Sequence, residues 1–251
     1  MVREPHSFGD VLEIIFQASI SKDAAYPNSN EDVLRFSEDV ESLALCDGAT
    51  ESFDSRTWAN IVAASFLRTR EFSMASLDEA IREYRESFQS AQLSWAQQAA
   101  FERGSFSTLL GVCYSKELKS LRVSAVGDTL CALIEGEDVL STFPYTNPAD
   151  FDNRPRLLST IAEQNDGLFD DAGLVGQRAS WLLDADLSRQ LLCMSDALGR
   201  WFLECNARGD VDSVRALLSC DEESFSAFVI EQRQEHALKA DDTTLVVIGG
   251  F

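Results

Sequence analysis

Four apolar runs in the sequence end or begin in aspartate. They are Leu43-Ala44-Leu45-Cys46-Asp47-Gly48, Val123-Ser124-Ala125-Val126-Gly127-Asp128, Leu191-Leu192-Cys193-Met194-Ser195-Asp196, and Asp241-Asp242 ahead of Thr243-Thr244-Leu245-Val246-Val247-Ile248. A carboxylate at the edge of an apolar core loses solvation, and several together repel. A cluster of them is therefore stable only when protonated or neutralised by cations. Oxygen-only ligands suit hard divalent ions, Mg²⁺ or Mn²⁺, whereas a chain with two histidines offers little to zinc. Gly48, lacking a Cβ, lets the main chain approach such an ion closely. Taken singly, each aspartate reads as a turn or helix cap; taken together, they point to metal. Asn30-Glu31-Asp32, ahead of the short stretch Val33-Leu34-Arg35-Phe36, is a further acidic element that alone reads as a solvated turn.

The elements that must carry these residues are strands expected at 11–20, 43–46, 106–114, 121–126, 130–134, 190–194 and 244–248, with a possible short one at 33–36. Helices are expected at 55–70, 77–103, 154–166, 199–207, 210–219 and 222–238. Strand pairs followed by helix pairs do not make the steady alternation of a doubly wound sheet, so the expected class is α+β, a sandwich. Gly127-Asp128-Thr129 and the residues around Ser120 suggest tight turns in an antiparallel meander. No repeat or linker marks a boundary, and residues 1–251 are expected to form a single domain.

The net charge of −21 argues against nucleic acid as a partner, since phosphates are held through Lys and Arg. Six cysteines without a C-x-x-C pattern read as reduced thiols in a cytoplasmic protein. Residues 1–10 lack the apolar core of an export signal, and no window approaches the roughly 18 apolar residues of a membrane span.

In order, Asn30-Glu31-Asp32, Asp47-Gly48, Gly127-Asp128, Ser195-Asp196 and Asp241-Asp242-Thr243-Thr244 resemble the motif series of the metal-dependent, type 2C protein phosphatases, in a divergent bacterial form. Gly104-Ser105-Phe106-Ser107-Thr108-Leu109-Leu110 is similar to that family's strand before its Gly-Asp turn. The resemblance implies a four-layer αββα sandwich of two stacked antiparallel sheets flanked by helices, with two Mg²⁺ or Mn²⁺ ions at one end and possibly a third. It implies that Asp47 bridges both ions and that Gly48 offers its carbonyl. Asp196 and Asp241 would hold one ion, Glu31 and Asp32 would hold metal-bound waters, and Asp128 with Asp196 would hold the third ion. The implied reaction is hydrolysis of Ser/Thr phosphomonoesters on a phosphorylated protein by a metal-bound hydroxide, with no covalent intermediate and possibly with a cognate Ser/Thr kinase as partner.

The sequence also departs from that pattern. Pro27 stands where the family places a phosphate-binding Arg, and Arg56 is the candidate replacement. Ala49 stands where a histidine acid is common, and Arg200, four residues after Asp196, replaces an Asp and puts positive charge near the proposed ions, where it would either weaken metal affinity or lean outward and assist the phosphate. Asp242 replaces a common Asn. Such losses leave open a catalytically impaired type 2C-like regulatory or binding module.

Asp184-Ala185-Asp186-Leu187-Ser188 mimics the nucleophile loop of haloacid-dehalogenase-like phosphatases, but too little chain follows it for that parallel α/β domain, and a turn between strands is favoured. Gly104-Ser105 is no nucleophile elbow, and His6 and His236 read as surface residues. The segment 73–103 reads as an amphipathic helix lying on one sheet.

Overall fold

A computed structural model describes residues 12–249 apart from 24, 51, 89–92, 171, 172, 175–177 and 184–188. The dehalogenase-like stretch 184–188 and His6 thus lie outside the described residues.

Two five-stranded antiparallel sheets are stacked on one another. One has the order β1 (Glu13–Ile20), β14 (Thr243–Gly249), β13 (Arg189–Met194), β7 (Leu130–Glu135) and β8 (Asp138–Phe143). The other has the order β12 (Arg178–Leu182), β6 (Ser120–Val126), β5 (Leu109–Ser115), β3 (Ser42–Cys46) and β2 (Val33–Phe36). Two small pairs lie outside them, β4 (Phe106–Ser107) with β9 (Leu158–Ser159) and β10 (Phe169–Asp170) with β11 (Gly173–Leu174).

Side chains alternate across each strand, and here both faces are covered, so the central strands read as unbroken apolar runs. Leu43 and Leu45 of β3 meet Leu191 and Cys193 of β13 in the seam between the sheets. Ala44 and Cys46 face outward to α1 (Ser55–Thr69), where Trp58, Val62 and Phe66 are fully buried. Burying one such ring contributes about 1.5–3 kcal/mol. The Phe66 ring lies directly on Gly111 of β5, where any Cβ would collide with it. On the far side, Leu192 and Met194 meet Trp201 and Phe202 of α4 (Asp196–Arg208), supported by α5 (Val211–Leu218) and α6 (Glu222–Gln234). The result is the αββα sandwich expected.

Several local expectations are corrected. The helix expected over 77–103 is two helices, α2 (Met74–Glu86) and α3 (Trp95–Arg103), each begun by a reciprocal serine cap at Ser73 and Ser94. α2 does not lie on a sheet; it packs on α1 through the cluster holding Leu77, Ile81 and Tyr84. The helix expected over 154–166 is a loop, then β9, then a short 3-10 turn at Ala162–Asn165. There the Asn165 side chain accepts from Ser159 N at 2.9 Å and donates to Ser159 O at 2.9 Å, replacing helical hydrogen bonds. β8, β9 and β12 had no counterpart in the sequence reading. No helix among the described residues is long and apolar enough to cross a membrane, and all six cysteines are free.

Candidate metal centre

The aspartates meet at one end of the sandwich because each terminates or opens a strand that the core fixes in place. Asp47 follows β3, and its backbone is pinned on both sides. Its N–H donates to Thr108 Oγ1 at 2.8 Å, while Thr108 N–H donates to the Asp47 carbonyl at 2.9 Å. Thr108 also bonds Thr129 at 2.7 Å, which joins this tip to the β6–β7 turn carrying Asp128. Gly127 in that turn has φ +97° and packs against Thr108, so a side-chain-free residue is required there. Asp196 opens α4, accepting from Ala197 N–H at 2.6 Å. Ser195 locks this strand end to β14, donating from its backbone to the Thr244 carbonyl at 3.1 Å and accepting from Thr244 N–H at 2.9 Å.

The electrostatics show that these groups share one space. Burial, followed by the charges of Asp32, Asp196, Asp128 and Asp241, holds the Asp47 carboxyl well above the usual range. Asp128 is pushed up to about 6, by burial first and then Asp196. Asp32 is pushed up to about 7 by burial, against the opposing Thr244 hydrogen bond and with added repulsion from Asp242 and Asp196. Asp196 is raised by burial, opposed by Lys239. In Asp32, Oδ2 accepts from Thr244 Oγ1 at 2.6 Å, whereas the buried Oδ1 has no hydrogen-bond partner among the described residues. A buried acceptor left so costs about 1–3 kcal/mol or more when charged.

That donor set suits hard divalent cations: carboxylate oxygens, one of them orphaned, in a site too crowded to be fully ionised without a cation. The geometry is not closed around an ion. Among the described residues no three His, Cys, Asp or Glu side chains stand as a ready ligand group. A protein cation lies on two of the carboxylates instead, with Lys239 Nζ 3.3 Å from Asp196 and 2.7 Å from Asp241.

The remaining candidates fall around this cluster in ways the sequence did not foretell. Glu31 is already engaged, accepting from Lys22 Nζ at 3.0 Å, from Thr50 Oγ1 at 2.7 Å and from Ser55 Oγ. Gly48 is buried and bridges to Ser107; its missing Cβ makes room for Ser55, which a Cβ would meet at 2.8 Å. The close approach that requires glycine is therefore to the start of α1. Arg56 is exposed, and its Nη1 donates to the Asn28 carbonyl at 2.8 Å, tying it to the turn that contains Pro27. Arg200 does not bring its charge to the cluster, since its guanidinium pairs with Asp152 at 2.8 Å and Glu204 at 3.0 Å. His236 is exposed, as expected.

Sequence reasoning missed four contributors: Lys22, Thr108, Lys239 and the full role of Asp242. Asp242 accepts the backbone N–H groups of Lys22 and Glu31, each at 2.7 Å, and so sets the loop that presents Glu31 and Asp32. The one available signal was Asp242 itself, a charged residue opening a wholly buried strand.

No protein-family model matches the chain, and no curated protein matches it. Solved structures do. Stp1 from Staphylococcus aureus, a serine/threonine phosphatase, is similar at 13% identity and a TM-score of 0.60, covering 99% of both chains. The catalytic domain of the serine/threonine phosphatase PstP in complex with two manganese ions is similar at 18% identity and a TM-score of 0.58, covering 95% of this chain and 98% of that one. The photosystem II phosphatase PBCP gives 14% identity, a TM-score of 0.58 and the same coverage. The chain thus has the fold of the bacterial type 2C-like Ser/Thr phosphatases.

Proposed function

We propose that this protein is a Mg²⁺- or Mn²⁺-dependent hydrolase of phosphoserine and phosphothreonine esters on a protein substrate. The observation that carries the reading is the convergence of Asp32, Asp47, Asp128, Asp196 and Asp241 from separate segments into one mutually repelling group. The fold shared with phosphatases, one of them described with two manganese ions, supports it.

Asp47, Asp196 and Asp241 are the residues that would hold two ions, with the Gly48 carbonyl beside Asp47 and with Asp128 available to a third. Divalent ions bound there would lower the pKa of water and neutralise phosphoryl charge. The chain's own contribution is positional. Thr108 fixes Asp47, Ser195 fixes the Asp196 segment, and Asp242 fixes the loop bearing Asp32, whose unpartnered oxygen is available to orient a water. With Ala49 at the place of a histidine acid, the leaving group takes its proton from solvent. Arg56 remains the candidate for the substrate phosphate, with its Nη1 held by the Asn28 carbonyl. Free and mostly buried thiols agree with a reducing, cytoplasmic setting.

A second reading is favoured by Lys239. An ammonium lying on Asp196 and Asp241 supplies part of the neutralisation that an ion would supply, as suits a catalytically impaired regulatory module. One experiment separates the two: Mn²⁺-dependent hydrolysis of a phosphopeptide and of p-nitrophenyl phosphate by wild type, Asp47→Asn and Asp241→Asn. Turnover in wild type alone supports the enzyme. Equal rates in all three end that assignment, and Mn²⁺ binding without turnover favours the module.

A further inference from the structure

A cleft of about 790 Å³ opens beside the acidic centre, and Ala49 and Thr50 of the loop after Asp47 form part of its lining. Three arginines line it as well: Arg103 at the end of α3, and Arg154 and Arg156 in the loop before β9. Its walls are built rather than incidental. β4 pairs with β9, Ser105 N–H donates to Thr160 Oγ1 at 2.9 Å, and Thr160 N–H returns to the Ser105 carbonyl at 3.0 Å. Gly104, at φ +89°, sits where a Cβ would meet Ile161 at 2.7 Å. Ala49 N–H donates to the Phe106 carbonyl at 2.9 Å, fastening the loop of the acidic centre to the same strand.

The charge of this cleft runs against the molecule. The chain carries −21 overall. Arg68, Arg70, Arg189, Arg200 and Arg215 each pair with a carboxylate. The three cleft arginines pair with none among the described residues. Arg103 donates to the Ala99 carbonyl of its own helix at 3.2 Å, Arg156 to the carbonyls of Gly167 and Asp166, and Arg154 engages no partner there. Among the described residues Glu102 is the one acidic residue in the lining, so the described part of the cleft is net positive and joins a negative centre. A concave surface of one sign concentrates ligands of the other. Guanidinium forks match carboxylates in particular. The volume and the apolar share of the lining, from Phe106, Leu157 and Ile161, exceed what a lone inorganic anion would use.

We propose that this cleft receives the acidic side chains flanking the phosphorylated residue of a protein substrate, making Arg103, Arg154 and Arg156 its specificity determinants. The inference rests on the phosphatase reading for the placement of the phosphate at the acidic centre. The substrate class is then a phosphopeptide rich in Asp or Glu near the phosphosite.

The test compares wild type with the double variant Arg103→Glu, Arg154→Glu. Arg156 is left in place because it holds the backbone at 166–167. Substrates are a phosphoserine peptide with glutamates on both sides, the same peptide with alanines, and p-nitrophenyl phosphate. Wild type should prefer the glutamate peptide about tenfold in KM at low salt, and the variant should lose that preference. Hydrolysis of p-nitrophenyl phosphate should be unchanged. A preference absent from wild type, or kept by the variant, overturns the proposal. If wild type hydrolyses nothing, the phosphatase reading has failed, and fluorescence anisotropy with the unphosphorylated glutamate peptide still reads the cleft. Weaker binding by the variant then supports the cleft, and equal binding overturns it. Should the double variant misfold, Arg154→Gln carries the same comparison.

Discussion

Asp242 and Asp32 belong to the same end of the sandwich and are almost equally buried, at 4% and 8% exposed, yet the fold treats them in opposite ways. Both oxygens of Asp242 are used, one by the N–H of Lys22 and one by that of Glu31. Asp32 keeps one oxygen with no hydrogen-bond partner among the described residues, and Asp47 beside it, like Asp128, is pressed toward protonation. The flank formed by residues 22–31 and Asp242 is thus architecture, its negative charge consumed by backbone donors. At the strand tips Asp32 holds an oxygen that the described residues do not satisfy, and the Asp47 and Asp128 carboxyls are raised by burial and by their neighbours' charges, while Asp196 is partly answered by Lys239. Identical side chains gathered at one end of the sandwich can therefore be sorted into scaffold and site by asking which hydrogen bonds remain to be made.

The largest expected effect tests the site half of that division. Asp47→Asn should lower Mn²⁺-dependent phosphopeptide turnover by about 10²–10³-fold or more while leaving the metal-free protein at least as stable, because one repelling charge is gone. A drop in metal-free melting temperature would show that Asp47 belongs to the scaffold. Next comes the scaffold half. Asp242→Ala strands two backbone N–H groups and should cost about 2–4 kcal/mol in urea unfolding with metal absent. A loss below about 0.5 kcal/mol would dissolve the distinction.

The pH response sharpens the same contrast. Asp32 and Asp128 titrate near 7 and 6 in the folded protein against an ordinary value of 3.8, so the folded state holds protons that the unfolded chain releases. Stability without metal is therefore greatest below about pH 4 as far as these groups are concerned, and falls as pH rises through 6 to 7. Thermal melts in EDTA across that window should fall by several degrees, and Mn²⁺ should restore most of the loss at pH 8. A flat profile in EDTA would mean that the carboxylates do not share a space. Smaller still, Lys239→Ala should tighten Mn²⁺ binding about threefold by calorimetry, since the ammonium on Asp196 and Asp241 competes with the ion but is largely exposed. Weaker binding would instead make Lys239 an organiser of the ligands. Arg200→Ala, with its guanidinium turned to Asp152 and Glu204, should leave that affinity unchanged.

The central strands were legible because both faces of β3, β5, β7, β13 and β14 are largely buried, which writes a mainly apolar run into the chain, and β6 shows the same signal apart from its exposed Arg122. β8 and β12 sit at sheet edges with alternating exposed positions, and DVLSTF and RASWL carry no comparable signal. Residues 154–166 have helical composition, but pairing with β4, about 50 positions earlier, overrides it. In the site, the aspartates were visible because strand ends announce them. Lys239, Thr108 and Lys22 were not, since each acts on a residue brought near only by folding, as when Thr108 caps Asp47 across 61 positions. The direction of Arg200 was not legible for a different reason. One helical turn from Asp196 puts it on the same face, but a long side chain is free to swing to partners farther from the strand tips.

Two glycines set the height of α1. At one end Gly48 lets Ser55 settle onto the loop after Asp47, and at the other Gly111 lets the Phe66 ring rest on bare backbone. Between them lies a nearly rigid rod about 16 Å long. A methyl group added under its far end would tilt the rod and carry the Ser55 hydroxyl away from Glu31, so the alignment of the rim of the acidic centre is governed partly from a point deep inside the sheet.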